Sequence, residues 1–140
     1  MDRDELVRLV QAARVARLAT LDPDGRANLV PICFAYDGRR LYSAVDAKPK
    51  RSMRLRRLRN VAERPDVTVL VDHYAEDWDA LWWVRLRGRG RVLTGGAERD
   101  AALALLAAKY AQYRAAPPAG PVLAVDVEEW RAWRAGNSGA

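Results

Sequence analysis

The chain has one cysteine, one histidine and one phenylalanine in 140 residues. A lone cysteine excludes an internal disulfide. Cys33 lies in an apolar run, where a small core residue is the expectation rather than a nucleophile. A lone histidine excludes the multi-histidine metal spacings. His73 with Glu76, Asp77 and Asp79 matches no ligand spacing, so no metal site is assigned and a solvated acidic loop is expected there. No Gly-rich phosphate loop of the Walker or dinucleotide kind occurs, and no serine stands in a nucleophile-elbow context. With strong acid, base and nucleophile candidates missing, no catalytic residue is assigned. An enzyme built on this sequence would leave its chemistry to a cofactor. Apolar runs long enough to span a bilayer are also missing, and the charged start Met1-Asp2-Arg3-Asp4-Glu5 lacks the apolar core of a signal peptide. A cytoplasmic protein that does not enter a membrane is expected.

Half the residues are hydrophobic, which suits one domain over residues 1–140 with a real core. Twenty-four bases against 18 acids leave a net charge of +6. That surplus calls for an anionic partner: nucleic acid, a phosphorylated cofactor or an acidic ligand. No recognition helix or single-strand motif supports nucleic acid, which therefore ranks last.

Apolar spacing predicts a helix over 2–13 and strands over 14–21, 27–36, 40–45, 67–72, 80–93 and 121–127. Helices are expected near 50–62 and 97–114, a tail over 128–134 and frayed residues over 135–140. Asp22-Pro23-Asp24-Gly25 and Asp37-Gly38 are turn signals joining the first three strands. The second strand is apolar on both faces and should be central, with Pro31 marking a bulge, edge or opening. In the strand over 80–93, alternation puts Arg85, Arg87, Arg89 and Arg91 on one face, where they need acids, twist or water. Gly88 and Gly90 in the same strand imply close approach of another backbone. Trp82 and Trp83 alternate faces, so at most one enters the core. The economical closure is mainly β with flanking helices, a small six-stranded antiparallel barrel.

One stretch breaks a local rule. Asp46-Ala47-Lys48-Pro49-Lys50-Arg51 leads from a strand into a helix and puts three cations at a helix N-terminus, where acids belong. A bound anion repairs this, and a phosphate there has a plain physical basis. At 100° per residue Leu55, Leu58, Val61 and Ala62 share one arc with Arg51 and Arg54, whereas Arg56, Arg57 and Arg59 fall on a solvated face.

Several segments together carry a family resemblance. They are Arg17-Leu-Ala-Thr-Leu-Asp22, the Asp24-Gly25 turn, Asn28-Leu-Val-Pro-Ile-Cys-Phe34 and Asp46-Ala-Lys-Pro-Lys50. Arg64-Pro65, Asp72-His-Tyr-Ala-Glu-Asp-Trp78 and Leu81-Trp-Trp-Val-Arg85 complete the set. In these the chain resembles the pyridoxamine 5′-phosphate oxidase-like superfamily of flavin-binding split β-barrels, and within it an actinobacterial branch of deazaflavin (coenzyme F-420)-dependent enzymes. The resemblance implies a homodimer with cofactor sites at the subunit interface, and an oxidoreductase that transfers a hydride to or from a small organic substrate. The implied cofactor is coenzyme F-420, with flavin mononucleotide (FMN) or a non-catalytic cofactor-binding protein as alternatives. It implies that Lys48, Lys50 and Arg51 hold the cofactor phosphate. Arg54 adds charge, which tips the choice slightly toward the phosphodiester and polyglutamate tail of F-420. The backbone of Ser43, Ala44 and Val45 would face the ring, Pro31 and Ile32 would line its other side, and Trp133 would come from the partner subunit.

Overall fold

The computed structural model describes residues 2–45 and 51–136, with backbone only for residues 51–55. Asp2 opens α1 (Arg3–Ala12): its carboxylate accepts the N–H groups of Asp4 and Glu5, a standard repair of orphan donors. In β1 (Ala16–Leu21) Ala16, Leu18 and Thr20 point inward and Arg17 and Leu21 outward. Gly25 takes a φ of +85° and its N–H donates to Asp22 O at 2.8 Å, closing the turn into β2 (Ala27–Ile32). The chain continues through β3 (Ala35–Tyr36), β4 (Arg40–Ala44), α2 (Arg51–Glu63) and β5 (Asp66–His73). A 3-10 turn (Trp78–Ala80) precedes β6 (Trp82–Leu93), followed by α3 (Ala97–Lys109), α4 (Ala111–Ala115) and β7 (Val122–Arg134). Among the described residues no helix is long and apolar enough to cross a membrane.

Every strand pair is antiparallel, in the order β2-β1-β5-β6-β7-β4-β3. The two ends of this order, β2 and β3, are joined by Cys33 and Phe34 alone. A seven-stranded sheet whose edges lie two residues apart must curl back on itself, so it forms a barrel. Leu18, Phe34, Leu41, Val69, Val84 and Leu86 fill its interior, with Val10 of α1 and Val61 of α2 joining them. On the other side of β4 and β7, Ala102 and Leu106 of α3 cover Tyr42, Ala44, Val122 and Ala124.

The mainly β class with flanking helices is as the pattern predicts. There are seven strands rather than six because the expected second strand divides at Cys33-Phe34. That strand is therefore not central. β2 pairs with β1 only, and β3 pairs with β4 only, so each half is an edge. Pro31 suits an edge because it has no N–H to give a second neighbour. Cys33, expected in the core, is exposed at the crossover between the edges.

The expected tail over 128–134 is also strand. β7 runs unbroken to Arg134 because β6 is long enough to pair with it throughout, from Leu93↔Val122 to Trp82↔Arg134. Trp130 and Trp133 are an odd number of residues apart, so they face opposite sides. Trp130 packs on Tyr36, with ring centroids 5.7 Å apart, whereas Trp133 stands exposed beside Trp83. The expected helix over 97–114 breaks at Tyr110, whose backbone is extended.

Acids on adjoining elements relieve the arginine face of β6. Arg87 pairs with Glu129, Arg89 with Asp66, and Arg91 with both Asp126 and Glu98. Arg91 uses Nε, Nη1 and Nη2 in four bonds of 2.7–2.9 Å, and the Tyr42 hydroxyl donates to Glu98 at 2.9 Å. Hydrogen bonds from Arg91 hold the Glu98 carboxyl at about 2, below its ordinary 4.5. A carboxyl depressed in the fold stabilises it above the unfolded value, and that contribution is lost as pH falls through the folded value. Acid should therefore destabilise the protein between pH 4.5 and about 2. Glu98→Gln should remove about 1 kcal/mol of that dependence, a small figure because the Glu98 side chain is 33% exposed and screened by water. Thermal melts of both proteins across this range check it.

Candidate functional site: the gap between the barrel edges

The pairing of β3 with β4 sets Ala35 opposite Tyr42 and Tyr36 opposite Leu41. Carried two and three steps further, the same register would set Cys33 opposite Ala44 and Ile32 opposite Val45. Instead the chain swings away at Cys33-Phe34, and Ile32 pairs with Ala16 of β1. The ladder is therefore interrupted, and this gap in the pairing has Pro31-Ile32 on one side and Ser43-Ala44-Val45 on the other.

The far side of β4 is occupied by β7, and the Val45 N–H donates to Pro121 O at 3.0 Å. Alternation then turns the N–H and C=O of Ala44 away from β7, toward the gap. A backbone donor and acceptor thus sit side by side on its wall. Such groups demand partners when water is excluded, and a heteroaromatic edge supplies both kinds. The walls are well packed: Ser43, Ala44, Val45 and Ile32 are all buried, while Pro31 at the rim is exposed.

The structure therefore brings together two of the three groups of expected cofactor contacts. Lys48 and Lys50 lie outside the described residues. Arg51 and Arg54 lie in the opening turns of α2, where the backbone is helical as expected. Of the helix arginines expected on the solvated face, Arg56 and Arg59 are exposed, and Arg57 is half-buried. Asn60 anchors α2 from within: its Nδ2 donates to Thr20 Oγ1 at 3.1 Å and to Asp22 Oδ1 at 2.9 Å. Trp133 does not join the gap of its own chain. Ser43 pairs with Leu123, and the ten residues from Leu123 to Trp133 are about 30 Å of strand.

Two residues that carry no sequence motif hold the crossover in place. The Tyr110 hydroxyl accepts the Phe34 N–H at 3.0 Å and donates to Arg14 O at 2.7 Å. Next to it, the ammonium of Lys109 lies 3.9 Å from the Phe34 ring centroid and 5.4 Å from that of Tyr110. It is shielded from solvent and has no hydrogen-bond partner among the described residues. Burial, reinforced by the Arg14 charge, pushes it down to about 8, against a small opposing pull from Cys33. Sequence periodicity marks Lys109 as an ordinary helix-end base; only the crossover above it removes its water.

An amine depressed on folding binds fewer protons in the fold than unfolded, so stability should rise with pH from about 8 to the ordinary lysine value of 10.5. Lys109→Met should abolish that rise and add about 1 kcal/mol at neutral pH, because the desolvated charge is removed while the rings stay packed. Urea unfolding at pH 7 and pH 9.5 checks both.

An antiparallel barrel that curls closed except for one break in its ladder is a split β-barrel. The family model described as pyridoxamine 5′-phosphate oxidase matches residues 2–134, and the chain belongs to that family. Among curated proteins none matches the chain. Solved structures share the fold at low identity. A conserved hypothetical protein from Mycobacterium tuberculosis superposes with a TM-score of 0.78 at 18% identity, over 100% of this chain and 89% of that one. A FAD-binding protein from Mesorhizobium loti gives 0.67 at 22% identity, over 94% of both chains. A heme binding protein from Mycobacterium smegmatis gives 0.75 at 20% identity, over 98% of this chain and 56% of that one.

Proposed function

We propose that the chain is a dimeric oxidoreductase that binds coenzyme F-420 in the gap, at the subunit interface, and serves hydride transfer to or from a small organic substrate. The observation that carries this reading is the Ala44 backbone pair facing the gap, directly before the cationic block. A flat ring with hydrogen-bonding edges suits the first, and a phosphodiester suits the second. Bound there, the deazaflavin ring would supply two-electron hydride chemistry. The chain's own part is binding and orientation. Lys48, Lys50 and Arg51 would hold the phosphate, with Arg54 adding charge nearby. The Ala44 backbone would fix the ring edge, and Ile32 and Val45 would exclude water.

FMN is the second reading, since the same gap and block suit an isoalloxazine ring and one phosphate. The FAD-binding relative supports a flavin in this fold. A heme reading has less support, because the one histidine, His73, lies at the end of β5 stacked on Trp82 rather than on either wall of the gap. Calorimetric titration with F-420 and FMN side by side is the test. Binding of neither overturns the reading. Tight binding of F-420 without turnover across a substrate panel turns the enzyme into a carrier.

A further inference from the structure

Beside the start of β4 lies a pocket of about 220 Å³ lined by Arg3, Tyr36, Arg39, Arg40, Asp126 and Val127. It is apart from the gap: Arg40 opens β4 and Ala44, on the gap, ends it, about 13 Å of strand away. Three arginines reach the pocket from three elements, Arg3 from α1, Arg39 from the β3–β4 turn and Arg40 from β4. One acid, Asp126, faces them, so the lining carries two positive charges in excess.

That one acid is already answered. Arg91 donates to both Asp126 oxygens, at 2.7 and 2.9 Å, and Arg40 adds a bond from Nε at 2.9 Å. Arg91 also holds Glu98, so Arg40, Arg91, Asp126 and Glu98 form a network of no net charge. Arg3 and Arg39 stand outside it, and neither has an ion-pair partner within 4 Å among the described residues. The acids near them in sequence serve the backbone or point elsewhere. The Asp37 carboxylate accepts the Arg39 and Arg40 N–H groups, Asp2 caps α1, and Asp4 does not line the pocket. Tyr36 adds no charge. Its hydroxyl donates to Gly38 O at 2.7 Å, and burial raises it above its ordinary 10.0 against the opposing pull of Arg3, so it stays a neutral phenol. Two of the cations are also held in place. The Arg3 guanidinium lies 5.2 Å from the Trp130 ring centroid, and Arg39 O accepts the Val127 N–H at 3.2 Å.

We propose that this pocket is a binding site for a small phosphate-bearing anion, free phosphate or a phosphate monoester, held by Arg3, Arg39 and Arg40. A planar carboxylate is satisfied by one guanidinium fork, whereas a tetrahedral phosphate offers oxygens to several arginines at once. The excess of two charges matches the charge of about −1.5 to −2 that a phosphate monoester carries at pH 7. The volume keeps the occupant small, since pockets for drug-sized ligands begin at about 300 Å³. The site stands independently of the cofactor reading, because the cationic block follows the other end of β4.

Calorimetric titration of the full chain with inorganic phosphate and with glycerol 3-phosphate, at constant ionic strength, tests it. Arg3→Gln and Arg39→Gln should each weaken binding about 10-fold, the loss expected for one charged hydrogen-bond donor. Both side chains are exposed, so folding is spared. Arg8→Gln removes an exposed arginine from the same helix and should leave the affinity unchanged. Lys50→Glu with Arg51→Glu should leave it unchanged as well, which separates this site from the cationic block. Tighter binding of glycerol 3-phosphate assigns the pocket to a monoester, and binding of phosphate at least as tight assigns it to the free ion. Heat from neither anion overturns the site. So does affinity that survives both Arg3→Gln and Arg39→Gln, falls equally in Arg8→Gln, or is lost only in the Lys50→Glu, Arg51→Glu protein.

Discussion

Gly88→Val should leave little folded protein, with a loss of more than about 4 kcal/mol in what survives. Gly88 sits where the β6–β7 ladder shifts register, so two strands approach unusually closely there. A Cβ at this position would run into the carbonyl oxygen of Asp126 and stand 2.8 Å from its carbon and 3.0 Å from Val127 Cα. These are backbone atoms and cannot rotate aside. Asp126 moreover carries the carboxylate that Arg40 and Arg91 share, so pushing it away also disturbs the charged network over α3. Gly90 is the comparison. A Cβ there would meet Val61 Cγ1 at 2.6 Å, a side-chain atom that can turn, so Gly90→Ala should cost about 1–3 kcal/mol. Urea midpoints of the two proteins decide it. A Gly88→Val protein as stable as Gly90→Ala would mean that the ladder can slip at this point.

Lys50→Glu combined with Arg51→Glu should lower cofactor affinity at least about 100-fold while leaving the empty protein as stable as before. Each phosphate contact from a charged donor is worth about 1.5–3 kcal/mol, so losing two accounts for that factor, and reversed charge adds repulsion. Arg51 opens α2, where the helix favours negative charge. Acids placed there should therefore leave the melting temperature unchanged or slightly raised. Affinity lost together with stability kept or gained separates a ligand contact from a structural one. Arg56→Glu with Arg59→Glu serves as control, since both side chains are exposed beyond the opening turn of the helix and affinity should hardly move. Calorimetric titration of the three proteins checks this, and equal affinity throughout would sink the phosphate assignment.

By itself the sequence determined the elements and their chemistry. Turn residues and alternation specify antiparallel strands, and the β6 alternation puts Arg85, Arg87, Arg89 and Arg91 on one face as found. The start of α2 at Arg51 and the misplaced cations before it are equally local facts. Only the tertiary structure decided which strands stand together. Cys33-Phe34 reads as apolar strand, yet the barrel closes there because β1 claims Ile32 while β4 claims Ala35. Residues 128–134 read as a tail because their apolar spacing is poor, yet β6 pairs with them to the end. Lys109 and Tyr110 look ordinary until the crossover covers one and borrows the hydroxyl of the other. Periodicity reports the face a side chain takes within its own element. It carries no record of which neighbour supplies the hydrogen bonds or removes the water, and those two things make the gap.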